Sequence, residues 1–333
     1  MNKAIKVKVK TKMSLQKYNK LIDGVTELSE MSKTNYKTRL RRLTEITEKE
    51  VNWIIVNPEK VWPMIKATTE SADTAKAYTT SIMALFKYDP TLKIMYGTSY
   101  DKWFDLFKQL NAVIEERLNK LEPTKRQAEA YMPWKEIIKG RNDYKDDNPK
   151  NVNTQAYVIV CIMTMIPPCR ADLNKVRIYR DHKPTEEEKL KDPNYLLIDT
   201  TTTPNKMVLM YHEFKTACAE RPFYRKELPL KLVEVITTFL SDQKKPKEYL
   251  ITGPRTGKPY DNSKIYTEYF KDQTKKIYGH PMSVNVFRHS YIIYFCKKHP
   301  SYAKRQQLAI DMMNSVQSLE RYQYEPKYIA NKK

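Results

Sequence analysis

The sequence predicts a mainly α-helical protein with a small antiparallel β-sheet, arranged as two domains. Apolar residues recur at three- and four-residue steps over much of the chain, which is typical of amphipathic helices. The clear strand-like runs lie within residues 195–230. The 333 residues include six glycines, whereas a β-sandwich or barrel would need many tight turns. A chain of this length allows each of two domains to bury its own core.

The first predicted domain, residues 13–122, is entirely helical. The preceding residues 1–12 alternate lysine with small or β-branched residues and are interpreted as a basic N-terminal arm, an edge strand being the alternative. A strongly basic helix is predicted to start at Ser32. The clearest helix lies near the end of this domain, because one apolar stripe runs along it. That stripe consists of Trp103, Phe107, Leu110, Ile114, Leu118 and Leu121.

The second predicted domain, residues 135–333, is a catalytic-domain candidate that ends in a short tail. A polar segment with two prolines, residues 123–134, indicates a linker before it. Residues 139–150 are rich in charge and predict a solvated loop, and residues 152–166 predict a fully buried helix. The remaining predicted elements are strands at 195–199, 206–212 and 225–230, and helices at 231–243, 263–277, 283–298 and 302–313.

The net charge of +21 and the pI near 9.5 indicate a polyanionic partner. Lysines and arginines occur along the whole chain, which suits a protein that neutralises several phosphates of double-stranded DNA. A basic protein without a nucleic-acid partner is the alternative. The predicted phosphate contacts lie on the basic helix of the first domain and are Lys37, Arg39, Arg41 and Arg42.

Metal, disulfide and membrane classes are not favoured by the sequence. The four cysteines are widely spaced without a CxxC pair, and the five histidines show no ligand spacing, so no metal site is predicted. The longest apolar run, residues 156–163, is too short to span a bilayer. The N-terminus lacks the apolar core of a signal peptide. We therefore expect an intracellular protein, with nucleus, cytoplasm and viral factory not distinguished.

Two arginines stand beside apolar sequence. Arg170 follows the predicted buried helix, and Arg288 lies among Val286, Phe287 and Tyr291. A guanidinium ion stays protonated and can bind two phosphate oxygens at once, which suits it to the charge that develops on a phosphodiester under attack. A surface ion pair is the ordinary alternative for a single arginine. Because a charge within apolar sequence needs a partner, both arginines are predicted phosphate ligands.

The order of these residues resembles the tyrosine recombinase (phage integrase) family. The resemblance rests on Arg170, on Lys215 after a strand, on the triplet Arg288-His289-Ser290 and on a late tyrosine. The segments PPCRADL and MNSVQSLERYQY are similar to members carried by large DNA viruses and mobile elements. The helical first domain resembles the core-binding domain of that family.

The resemblance implies site-specific DNA recombination through a 3′-phosphotyrosyl intermediate, without metal, ATP or cofactor. It also implies assembly as a tetramer on two duplexes. Nothing in the sequence resembles a phosphate-binding P-loop or an acidic metal cluster, in agreement with this expectation. A type IB topoisomerase-like enzyme and a non-catalytic DNA-binding protein on a degraded scaffold are the alternatives.

The resemblance also implies roles for the other site residues. Lys215 would donate a proton to the leaving 5′ oxygen, with Lys206 and Lys226 as competing candidates. Asp172 resembles the acid that orients the first arginine. Asn285 occupies a position where the family commonly has histidine. Asn314 occupies a later position where the family has histidine or tryptophan. An amide can still donate a hydrogen bond, but it cannot take a proton from tyrosine near neutral pH.

The nucleophile is assigned to one of two tyrosines near the C-terminus. Tyr322 ends a segment, SLERY, that resembles the closing motif of the family, and Tyr324 is the runner-up. His289, next to Arg288, is expected to have a structural role. The chain contains 24 tyrosines, so a packing role for either tyrosine is the competing interpretation.

Overall fold

The computed structural model describes residues 14–169, 173–214, 217, 221–243, 245–260 and 262–320. The chain divides into two compact units, Met1–Lys120 and Leu121–Lys333. The fold class is confirmed, because both units are mainly helical and the second contains one small sheet. The predicted basic arm, residues 1–12, lies outside the described residues.

The first unit is a helical bundle. Its helices are α1 (residues 14–23), α2 (Glu30–Thr47), α3 (Val51–Val56), α4 (Pro58–Thr68), α5 (Ala72–Tyr88), α6 (Pro90–Met95) and α7 (Gly97–Asn119). The predicted apolar stripe of α7 is buried at Trp103, Leu110 and Ile114, whereas Leu121 is exposed. The Trp103 indole donates to the Ile55 carbonyl (3.0 Å), which satisfies its polar atom within the core.

The second unit contains nine further α-helices among its described residues, besides two short 3-10 helices. They are α8 (Lys125–Ala130), α9 (Trp134–Asp147), α10 (Gln155–Met165), α11 (Glu186–Lys191), α12 (Leu230–Ser241), α13 (Ser263–Tyr278), α14 (Val284–Cys296), α15 (Tyr302–Asp311) and α16 (Val316–Glu320). Nine consecutive residues of α10, Ala156 to Thr164, are buried, as the sequence predicts. This helix is the centre of the core and packs against α9, α12, α13 and α14.

The predicted charged loop at residues 139–150 is wrong over most of its length, because α9 continues to Asp147. Its apolar residues, Trp134 and Ile137, are buried, and this narrow contact is sufficient to hold a helix that is otherwise polar. Lys139 and Asp143 form an i,i+4 ion pair (2.5 Å) on its exposed side. The preceding polar segment contains α8, which starts with a capping box between Thr124 and Gln127.

The sheet has the order β1-β2-β3-β4, with strands β1 (Arg177–Arg180), β2 (Asn194–Asp199), β3 (Lys206–Tyr211) and β4 (Tyr224–Glu227). It is mixed, not wholly antiparallel as predicted: β2, β3 and β4 pair antiparallel, but β1 pairs with β2 in parallel. The connection through α11 makes this possible, since parallel neighbours need a crossover. The four residues of β1 are too short and too charged to give a strand signal in the sequence.

Candidate functional site

Arg288 lies in the middle of α14 and is almost fully buried, with 3% of its surface exposed. Its Nη1 atom donates to the Pro168 carbonyl (3.2 Å) and to the Met312 carbonyl (2.9 Å). A buried cation that is held by carbonyl dipoles keeps its charge and a fixed orientation. The structure thus shows two carbonyl partners for this charge, and its predicted role as a phosphate ligand stays a prediction.

These two carbonyls bring distant parts of the chain to the same guanidinium group. Pro168 and Cys169 immediately precede Arg170 in the sequence, and Met312 lies two residues before Asn314. Cys169 is fully buried, and burial raises the pKa of its thiol to about 11, although the nearby positive charge of Arg288 opposes this shift. The thiol is therefore protonated at neutral pH and packs as an apolar group.

The end of α15 and the turn that follows it, residues 311–314, lie close to Arg288. Met313 has a left-handed backbone (φ 50°), and the Asn314 amide N–H donates to the Ala309 carbonyl (2.8 Å). The side-chain Nδ2 atom of Asn314 is buried and has no hydrogen-bond partner among the described residues. Leaving a buried donor unpaired costs about 1–3 kcal/mol, so this amide is a candidate donor to a bound ligand.

Two basic side chains near β4 reach the same turn. Lys226 Nζ lies 3.4 Å from Asp311 Oδ2, and both side chains are partly buried. Arg221 Nη1 donates to the Asn314 carbonyl (3.4 Å). Sequence reasoning kept Lys226 as a competitor of Lys215 and missed Arg221, because Arg221 lies in a loop without periodicity. Lys206 is the other competitor of Lys215. Its side chain lines a groove on one face of the sheet, whereas Met207 and Leu209 of the same strand pack into the core on the opposite face.

The two remaining described candidates lie on α14 beside Arg288. Asn285 is exposed, one helical turn before Arg288. His289 is partly buried, and burial together with the Arg288 charge lowers the pKa of its imidazole to about 4. His289 is therefore neutral at physiological pH, which agrees with a structural role and makes it a weak base.

The other predicted site residues lie outside the described residues. They are Arg170, Asp172, Lys215, Tyr322 and Tyr324, and their roles stay predictions.

The basic helix α2 of the first unit divides its candidate DNA contacts into two groups. Lys37 pairs with Asp23 (2.5 Å), and Arg42 pairs with Glu45 (3.0 Å). Arg41 lies 3.8 Å from Glu45. Arg39 instead faces α5 and lines a groove of about 290 Å³.

This α2–α5 groove is polar and positively charged. Its lining residues are Ser32, Asn35, Tyr36, Arg39, Asp73, Lys76, Ala77 and Thr80. Asp73 is neutralised by Arg117, whose Nη1 and Nη2 lie 2.6 Å and 3.2 Å from its two carboxylate oxygens. The groove thus presents two cations, a phenol, hydroxyl groups and an amide, which are the groups that commonly contact nucleic-acid phosphates.

The described residues contain no group of three or more His, Cys, Asp and Glu side chains arranged to hold a metal ion. No described helix is both long and apolar enough to cross a membrane.

No protein-family model matches the chain, and no curated protein sequence matches it significantly. Comparison with solved structures finds the crystal structure of XerA recombinase, with a TM-score of 0.39 and 12% sequence identity. The match covers 95% of each chain. Similarity at this level does not assign a family.

Proposed function

We propose that this protein cuts and rejoins double-stranded DNA through a tyrosine nucleophile, as a site-specific recombinase. The observation that supports this most strongly is the environment of Arg288. A guanidinium ion is buried between the segment that leads into Arg170 and the turn that carries Asn314. This arrangement suits a clamp for one phosphate group, built from positions far apart in the chain.

In the proposed reaction, Arg170 and Arg288 bind the non-bridging oxygens of the scissile phosphate, and Asp172 orients Arg170. The buried amide of Asn314 donates to the same group. The hydroxyl of Tyr322 attacks phosphorus, its proton passes to solvent, and the new P–O bond replaces the bond to the 5′ oxygen. That oxygen leaves with a proton from Lys215.

The product is a 3′-phosphotyrosyl protein and a free 5′ hydroxyl. Attack by another 5′ hydroxyl reverses the step and reseals the strand, so neither ATP nor a metal is needed. Asn285 and Asn314 cannot accept the tyrosine proton near neutral pH, and His289 is a weak base. We therefore propose that the enzyme relies on phosphate clamping rather than on a strong general base.

The α2–α5 groove is proposed to bind DNA backbone through Arg39 and Lys76. Lys37, Arg41 and Arg42 would contribute through the long-range field, because Lys37 pairs with Asp23 and the two arginines share Glu45 as an acidic neighbour. Tetramer formation on two duplexes is part of the proposal, and the mass of the protein–DNA complex in solution tests it.

Covalent trapping tests the proposed function. The probe is a DNA duplex with randomised flanks and one 5′-bridging phosphorothiolate linkage, whose thiol product is a poor nucleophile for resealing. We expect the full chain to form an adduct that survives denaturation, with the DNA attached to Tyr322. Tyr322→Phe should abolish the adduct and Tyr324→Phe should retain it; the reverse result assigns the nucleophile to Tyr324.

The same assay separates the competing functions. A wild-type protein that binds the duplex without forming any adduct would support the non-catalytic DNA-binding alternative, which the two asparagines favour. The phosphorothiolate linkage also tests the role of Lys215, because a 5′ thiolate can leave without the proton that a 5′ oxygen needs. Lys215→Ala should therefore lose activity on ordinary DNA and regain most of it on the phosphorothiolate, whereas Lys226→Ala should not show this difference.

A further inference from the structure

Arg221 connects two parts of the site that the sequence does not link. It lies in the segment between β3 and β4, and its guanidinium carbon is 5.5 Å from the centre of the Phe214 ring. Its Nη1 atom also donates to the carbonyl of Asn314, 93 residues later in the chain. A guanidinium plane held against an aromatic ring loses less freedom when it forms a hydrogen bond, so its direction toward Asn314 is favoured in advance.

The turn that carries Asn314 is held from several sides. Arg288 donates to the Met312 carbonyl, Lys226 pairs with Asp311, and the Asn314 N–H donates to the Ala309 carbonyl. The contact with Arg221 holds the carbonyl of Asn314 as well. The backbone of this residue is therefore fixed at both its N–H and its C=O group.

The side-chain amide of Asn314 differs from its backbone in this respect. Its buried Nδ2 atom has no partner within the described part of the chain. A donor on a fixed backbone needs less ordering when it binds an oxyanion, because part of its position is set before the ligand arrives.

We propose that Arg221 is a positioning residue for strand cleavage, which acts by holding the Asn314 backbone so that its amide meets the scissile phosphate. This inference rests on the proposed function of the Arg288 site. Arg221 itself need not touch the phosphate for this role. The resemblance to tyrosine recombinases does not assign it any function.

A double-mutant cycle tests the proposal on the phosphorothiolate duplex at saturating DNA. We expect Arg221→Ala and Asn314→Ala each to slow adduct formation roughly tenfold to a hundredfold, since small misplacements of a binding group cost that much. If Arg221 acts through the amide, the double variant should be no slower than Asn314→Ala alone. Arg221→Lys, which keeps a donor, should recover part of the rate.

Arg225→Ala is the matched control, because it also removes one arginine charge. Arg225 lies on β4, four residues after Arg221, and lines the groove that also contains Lys206. The rate of this variant should equal that of the wild type. Losses that multiply in the double variant, or an Arg221→Ala effect confined to DNA affinity or thermal stability, would overturn the proposal. A wild type that forms no adduct would instead refute the proposed function, so the two failures are distinguishable.

Discussion

At the scale of single residues, Arg288 is the group whose environment needs a functional explanation. Burying a guanidinium ion costs free energy that hydrogen bonds to carbonyl groups only partly return. An apolar residue of similar volume would fill the same space in α14 without this cost. The proposed phosphate ligand would account for the retained charge, because attraction between the two is strongest where water is excluded.

Replacing this arginine should affect both stability and chemistry. Arg288→Ala leaves the Pro168 and Met312 carbonyls without their donor, and we expect the free energy of unfolding to fall by about 1–3 kcal/mol. Adduct formation should slow by more than about a hundredfold. On a methylphosphonate linkage, which is neutral, the difference from the wild type should shrink. An equal defect on both linkages would show that Arg288 does not stabilise phosphate charge.

His289 gives a pH-dependent prediction. Its folded pKa of about 4 lies below its ordinary value of 6.5, so between these values the unfolded chain binds more protons than the folded one. Its contribution to stability is complete above about pH 6.5 and decreases as the pH falls toward 4. His289→Gln should remove up to about 3 kcal/mol of this acid sensitivity. Chemical unfolding of both proteins at several pH values measures it, and parallel stability curves would contradict it.

Sequence reasoning found Arg288 because an arginine inside an apolar helical run is visible in one segment. Arg221 was not found because its partners, Phe214 and Asn314, come from different parts of the chain. The buried amide of Asn314, which has no partner among the residues that the structure describes, could not be predicted either, since its burial depends on tertiary packing. Contacts between residues so far apart in the chain become visible only in the folded structure.

At the scale of elements, the long periodic helices were predictable and the marginal ones were not. Helices α10, α12, α13 and α14 have strong apolar patterns, and the structure places them within one or a few residues of the predicted ranges. The sequence of α9 predicts a loop over most of its length because charged residues dominate it. Its stability comes from packing: a Cβ at Gly140 would lie 2.9 Å from two ring atoms of Tyr278 on α13.

This close approach of α9 and α13 predicts that Gly140→Ala is destabilising. Alanine favours a helix by about 1 kcal/mol over glycine. The Tyr278 ring cannot move freely, however, because its hydroxyl donates to the Ile137 carbonyl (3.1 Å) and its edge packs on Phe287. We expect overpacking of about 1–3 kcal/mol to exceed the helix gain and lower the melting temperature.

Gly97→Ala is the control for this prediction, since nothing lies within 4 Å of its added Cβ and α7 begins there. It should be neutral or stabilising. Tyr278→Phe releases the hydroxyl anchor and should reduce the cost of Gly140→Ala. Identical effects of the two glycine substitutions would refute the steric argument.

At the scale of the whole molecule, the net charge of +21 predicts DNA binding that weakens steeply with salt. The sequence indicated this charge and a basic helix, but it could not separate cations with acidic neighbours from those available to phosphate. In the first unit, the structure shows acidic partners for Lys37 and Arg42, whereas Arg39 and Lys76 line the α2–α5 groove. Salt dependence can distinguish these two groups.

Each phosphate contact contributes about 0.9 to the slope of log affinity against log salt concentration. The double variant Arg39→Gln/Lys76→Gln should therefore reduce the slope by about 1.8 on a mixed-sequence duplex of about 30 base pairs. Lys102→Gln/Lys108→Gln removes the same charge from α7, where both lysines already pair with acids (3.4 Å to Glu59 and 2.9 Å to Asp105). Its slope should change less, because only the diffuse field is weakened. Equal slopes for the two double variants would mean that the groove does not contact phosphates and that the affinity for DNA depends on total charge alone.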